Sequence, residues 1–123
     1  MSGIASGELS IQRRLTAEFI KSDSVDVVLY RSAPVADGKG GTVKGSPAPL
    51  PEQCMRLIPL GDGATERFTA NGQAVQPQYM LMGSYDADMQ RFDSFTLDGV
   101  RYEVVFVNQN RQYETKGEVY YRG

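Results

Sequence analysis

The chain contains no histidine and a single cysteine, Cys54, so most of its scope for chemistry lies in its carboxylates. The lack of histidine removes the commonest general base, the commonest metal ligand and every Ser-His or Cys-His nucleophile pair. A structural zinc site needs a closed set of Cys, His or carboxylate ligands, and no such set is expected here. Asp86-Ala87-Asp88, with Asp93 nearby, could open a calcium loop. Such a loop requires Gly at its sixth position and Glu at its twelfth. Counted from Asp86 these positions hold Arg91 and Leu97, so the acids read as solvated turn carboxylates. Paired carboxylates can hydrolyse glycosides, but these acids fall in turns and on strand faces, with no apolar pocket to raise a pKa. Gly38-Lys39-Gly40-Gly41 lacks the phosphate-loop spacing and no helix follows it, so it reads as a flexible loop. The expectation is a protein that is not an enzyme and holds no cofactor and no metal.

The remaining reactive or charged groups point to contacts. Cys54 lies in an apolar stretch and reads as a buried thiol that cannot form an intrachain disulfide. Arg13 and Arg14 near the N-terminus, and Lys39 and Lys44 further on, are the basic groups placed to meet a neighbouring subunit or a DNA backbone, if they are not simply solvated. Tyr120 and Tyr121 are candidates for an intersubunit contact, since aromatic residues are enriched in interfaces.

Whatever positions these residues is expected to be one globular domain. The 123 residues are 41% hydrophobic and 23% charged, and their net charge of −2 suggests no large basic face for gripping phosphates. No apolar run is long enough for a membrane span. The first ten residues lack a basic start and an apolar stretch, so a cytoplasmic protein is expected rather than a secreted one.

Residues 1–9 read as a tail. Ser10 is a candidate cap for a helix over 10–22, whose apolar stripe is Ile11, Leu15, Phe19 and Ile20. A strand is expected over 25–30. Residues 33–51 are rich in Gly and Pro and read as a long loop without structure of its own. Strands follow over 53–58 and 78–82, and Asn71-Gly72 between them marks a hairpin with a type I′ turn. Residues 88–95 read either as one short turn of helix or as a loop that tucks in Phe92 and Phe95. Asp98-Gly99 is a tight turn, Val100, Tyr102, Val104 and Phe106 share one face of a long strand, residues 108–111 turn, and 113–121 return. The fold class is therefore mainly β: a small antiparallel β-barrel or sandwich over 25–121, with a short N-terminal α-helix and a long Gly/Pro-rich loop.

In this order, Met55-Arg56-Leu57-Ile58-Pro59, Tyr79-Met80-Leu81-Met82-Gly83, Asp98-Gly99-Val100-Arg101-Tyr102-Glu103-Val104-Val105 and Tyr113-Glu114-Thr115-Lys116-Gly117-Glu118-Val119 resemble the head-to-tail stopper proteins of long-tailed bacteriophages. The resemblance covers about residues 10–121. It implies a β-barrel subunit of a ring of six or twelve copies in the neck of the virion, assembled in the host cytoplasm. The ring would sit below the portal and adaptor rings, meet a tail terminator or tail protein on its other side, and help to retain packaged double-stranded DNA without reading its sequence. No membrane is implied. The family's channel-closing loop corresponds to residues 33–51 here, with Asp37, Gly38, Lys39, Gly40, Gly41 and Lys44 as its stopper candidates. Arg13, Arg14, Tyr120 and Tyr121 are the interface candidates.

Two rivals stand beside this reading. An OB-like nucleic-acid-binding module would show exposed aromatics interleaved with Lys and Arg on one sheet face, whereas the last two strands mix Glu103, Glu114 and Glu118 with Arg101 and Lys116. A small enzyme would need the general base and convergent pocket that the sequence does not offer.

Overall fold

The structure is a computed structural model that describes residues 6–61, 63–108 and 112–122. The segment 6–21 holds no proline, and its one glycine, Gly7, lies in the first turn. It forms helix α1 (Ser6–Lys21), with Glu8 in the first turn and Lys21 in the last, the polarity that suits the helix dipole. The helix begins before the expected cap, so Ser10 lies inside it; residues 1–5 of the expected tail fall outside the described residues. At its end the Ser22 hydroxyl donates to the Phe19 carbonyl at 2.7 Å.

The face that α1 buries differs from the one the apolar stripe predicts. Ile20 (3% exposed) and Thr16 (8%) are buried, while Ile11 (50%), Leu15 (49%) and Phe19 (45%) face solvent. Thr16 and Ile20 lie one turn apart on one side, and Ile11, Leu15 and Phe19 form a ridge on the other.

Eight strands form one antiparallel sheet: β1 (Val25–Val27), β2 (Tyr30–Arg31), β5 (Ala48–Pro49), β6 (Gln53–Pro59), β9 (Tyr79–Ser84), β10 (Ser94–Leu97), β11 (Val100–Asn108) and β12 (Glu114–Tyr121). Two hairpins stand apart from it, β3 (Pro34–Ala36) with β4 (Thr42–Lys44), and β7 (Arg67–Phe68) with β8 (Ala74–Val75). The sheet order is β1-β6-β9-β12-β11-β10-β2-β5. The strand expected over 25–30 is thus broken: β1 pairs with β6, and β2 pairs with β10 near the other end of the sheet. Only Val28 and Leu29 separate the two halves, so the sheet must curl until its ends nearly meet. The mainly β, barrel-like expectation holds. Helix α1 rests on β6 and β9.

The concave side is filled by Val27, Leu29, Met55, Leu81, Met89, Phe95, Tyr102, Val104 and Val119. Tyr102 stacks on Phe95 at 5.0 Å between ring centroids and meets Tyr79 and Tyr121 edge-on. Burial raises the pKa of its phenol.

Local geometry refines several expectations. Asp98 (φ 51°) and Gly99 (φ 78°) make a two-residue turn between Leu97 and Val100, the positive-φ pair that a type I′ hairpin requires. At Asn71-Gly72 only Gly72 has positive φ, 81°. Gly72 N donates to Thr69 O and Thr69 N to Gln73 O, which makes a type I turn closed by a glycine bulge instead of type I′. In β11 a bulge between Val104 and Phe106 shifts the register. Val104 faces Val119 and Phe106 faces Glu118, so the two do not share the face that simple alternation predicts. Cys54 is exposed, contrary to the buried expectation, because its neighbour Met55 takes the inward position in β6. The turn expected at 108–111 falls mostly outside the described residues. No helix among the described residues is long and apolar enough to cross a membrane.

Candidate functional site

The stretch expected to be a structureless loop, 33–51, is largely built. Pro34, Val35 and Ala36 pair with Lys44, Val43 and Thr42, and β5 joins the edge of the main sheet through β2. The short runs Val35-Ala36 and Thr42-Val43 carry enough β character to pair once the turn between them is ordered. Asp37 orders it. Its Oδ1 accepts from Lys39 N at 2.7 Å and Gly41 N at 3.1 Å, and Asp37 N donates to Gly41 O. Gly38 (φ 77°) and Gly40 (φ 84°) occupy the left-handed region that side chains disfavour. At the base Gly45 N donates to Ala33 O at 2.9 Å; a Cβ on Gly45 would meet that oxygen at 2.7 Å. Asp37, Gly38, Lys39, Gly40 and Gly41 are thus gathered at one exposed tip, with Lys44 at the far end of β4 opposite Pro34. Val35 and Val43 lie opposite each other and are both about half exposed.

Beside the hairpin opens a cleft of about 380 Å³, lined among others by Ala33, Val43, Ala70, Arg91 and Phe92. Phe92 is held at φ 76°, a rare conformation for a bulky residue, and its ring is 41% exposed. Phe92 N donates to Val104 O at 2.6 Å and Val104 N donates to Asp93 O at 2.8 Å, so both flanks of the peptide are pinned to β11. Arg91 lies 4.6 Å from the centroid of the Phe92 ring. Phe92→Gly should be more stable than Phe92→Ala by about 1 kcal/mol, since both lose the ring but only Ala keeps the left-handed strain. Urea midpoints of the two variants check this, and equal midpoints would mean that the backbone relaxes.

The floor of the cleft is an ion-pair network. Arg31 donates from Nε to Asp93 Oδ1 at 2.9 Å and from Nη2 to Asp93 Oδ2 at 2.8 Å and Asp88 Oδ1 at 2.9 Å. Asp93 Oδ2 also accepts from Gln90 N at 2.8 Å. The hydrogen bond to Asp93 does most to hold the Arg31 guanidinium above its ordinary pKa, with burial opposing it and Asp88 adding to it. Asp93 is therefore no solvated turn carboxylate. Asp86 does stay at the surface, accepting from the Ser84 hydroxyl. A second carboxylate, Glu103, is buried; it accepts from Ala70 N at 2.7 Å and pairs with Arg122. This ties the β7–β8 turn and the C-terminal segment to β11.

The interface candidates lie elsewhere. Arg13 is half-buried, its guanidinium 3.7 Å from the Tyr85 ring centroid and its Nε donating to Gln112 O at 3.1 Å. Arg14 is exposed, Tyr120 half-buried and Tyr121 exposed. The helix pair, the hairpin tip and the terminal tyrosines belong to three separate elements, α1, β3–β4 and β12. Sequence reasoning gave Arg31 and Arg91 no role and expected Phe92 to tuck in with Phe95, whereas Phe95 is buried and Phe92 is 41% exposed. Arg31 and Asp93 meet across 62 residues, a separation that leaves no local pattern.

Among the described residues no group of three or more His, Cys, Asp and Glu side chains could hold a metal ion. No family model matches the chain, and no curated protein matches it.

Proposed function

We propose that the chain is a non-enzymatic subunit of a phage neck ring, which joins the DNA-filled head to the tail and helps to close the channel on packaged DNA. One observation carries the reading: an internally braced hairpin, β3–β4, exposed from Val35 to Val43 and paired with no described strand of the curled sheet. Copies arranged in a ring would bring such hairpins together at the axis. Each tip offers one carboxylate, Asp37, and one ammonium, Lys39, so the lining is near neutral and lets a DNA backbone slide without sticking. An obstruction built this way comes from many braced tips together, not from large side chains. On the ring's faces, an adaptor and a tail protein would meet groups such as Arg14 and Tyr121, both exposed.

The OB-like alternative draws on the exposed aromatics Phe68 and Phe92 beside Arg91. Tight binding of single-stranded DNA in a low-salt gel shift would favour it.

Deleting residues 38–46 removes the tip and β4. The curled sheet should remain folded, with a melting temperature close to that of the full chain, because β3–β4 adds no strand to it. Virions assembled with the variant should release their DNA, measured as nuclease-sensitive DNA after purification. Particles that retain DNA as well as the unaltered ones would count against the proposal, as would loss of folding.

A further inference from the structure

Two surfaces of this fold expose apolar side chains that are unpartnered among the described residues, and each sets one charge of opposite sign beside them, Glu8 on the first and Arg91 on the second. The first is the outer face of α1. At 100° per residue, Glu8, Ile11, Leu15, Glu18 and Phe19 fall within one arc that is turned away from the buried Thr16 and Ile20, with Phe19 at the edge nearest to them. At its C-terminal end the surface carries the cation Arg56, which lies 4.0 Å from the Phe19 ring centroid and donates to the Phe19 carbonyl and the Ser22 hydroxyl. The N-terminal part of the arc sets the carboxylate of Glu8 beside Ile11 and Leu15, while the exposed Arg14 lies at the far edge next to Glu18, about 120° round the helix from Glu8.

The second surface is the cleft between the β3–β4 hairpin and the 90–93 turn. Its apolar wall residues are Ala33, Val43, Ala70 and Phe92, set among Ser32, Thr42 and Gln90, and its volume of about 380 Å³ is within the range that takes up a side chain or small ligand. Of its two arginines, Arg31 is committed to Asp93 and Asp88. Arg91 meets no carboxylate among the described residues; it donates to Phe68 O at 3.5 Å and flanks the Phe92 ring.

Helix α1 is fixed on β6 and β9, so its outer face cannot turn into the cleft of its own chain. We infer that the two surfaces meet between copies: the α1 face of one copy seats Ile11 and Leu15 in the cleft of the next, with Glu8 towards Arg91. This rests on the ring reading and goes beyond it by assigning the contact. Such a contact is heterologous, because it joins different patches of identical chains, and a repeated heterologous contact closes into a ring or runs on as a filament. It would also brace the hairpin from its flank, since Val43 is shared between hairpin and cleft.

The test uses the full chain with Cys54→Ser, so that each added cysteine is the only one. Leu15→Cys and Val43→Cys are made separately; both positions are about half exposed, so neither disturbs the core. Mixed under mild oxidation, the two should give the 15–43 disulfide faster than either homodimer. The mixed adduct should also outpace the adduct of Leu15→Cys with Glu66→Cys, an exposed collision control. Adding Arg91→Glu to the Val43→Cys partner should lower the 15–43 yield several-fold, and raising the salt should lower it too. A 15–15 adduct forming as fast as the mixed one, or a mixed adduct no faster than the control, overturns the contact while leaving the DNA-retention result standing. Particles that hold DNA without the hairpin overturn the ring reading while leaving the adduct.

Discussion

Asp93→Ala should cost the fold about 3–5 kcal/mol, the range for removing one partner of a buried ion pair. The side chain is 1% exposed and accepts three hydrogen bonds, two from Arg31 and one from Gln90 N. Truncation leaves Arg31 with Asp88 alone, which is largely exposed, and leaves a backbone N–H without its acceptor. The position raises the stakes further. β2 is joined to β10 through a single register pair, Tyr30 with Ser94. The Arg31–Asp93 fork is therefore a main fastening where the curled sheet closes. Asp88→Ala, at the exposed end of the same network, should cost no more than about 1 kcal/mol. The double variant Arg31→Met, Asp93→Leu should be less harmful than Asp93→Ala alone, because both buried charges go together and the carboxylate left unpaired, Asp88, is largely exposed. Urea unfolding of the four proteins at one pH and salt decides it. Asp93→Ala and Asp88→Ala with equal midpoints would show that the closure does not depend on the fork.

What could be read in advance follows from the range of the forces involved. The first half of strand β11, Val100 to Val104, and its Asp98-Gly99 turn are local: alternation and a positive-φ dipeptide suffice there, up to the bulge before Phe106. Helix α1 was legible as a helix, but its facing was not. Periodicity locates Ile11, Leu15 and Phe19 on one side; it does not say whether the surface that covers them belongs to the same chain. The hairpin at 34–44 was hidden by its own turn, whose glycines dominate the composition while Asp37 supplies the order. Cys54 and Met55 show the limit of parity, since which of two adjacent residues points inward is set by the register with β1 and β9. Nothing in a phenylalanine announces the left-handed backbone of Phe92, which the bonds to Val104 on both flanks impose. Residues 37–41 could thus be placed together at a turn from position alone, whereas the cleft that flanks them depends on contacts made after folding.

The other large effect is expected where β9 meets β12. Leu81 is fully buried, and its register partner is Gly117, so a large side chain is set beside the one residue without any. The space over Gly117 is taken by Met89, whose sulfur would lie 2.3 Å from a Cβ built there, with Val104 Cγ1 at 3.3 Å. Leu81→Ala opens a cavity in a tightly filled layer and should cost about 2–5 kcal/mol. Gly117→Ala errs in the opposite direction, by overpacking, and should cost about 1–3 kcal/mol. A thioether adapts more readily than a branched side chain, but Met89 is 1% exposed and has little room to retreat. The two substitutions should not add simply with changes at Met89. In a Met89→Ala background the clash is gone, so Gly117→Ala should cost less there than in the unaltered protein, a coupling readable from a double-mutant cycle on urea-unfolding free energies. If Gly117→Ala costs the same in both backgrounds, the steric conflict lies with Val104 and the β11 bulge that follows it, and the interlock between Leu81, Gly117 and Met89 is not what fixes the spacing of this layer.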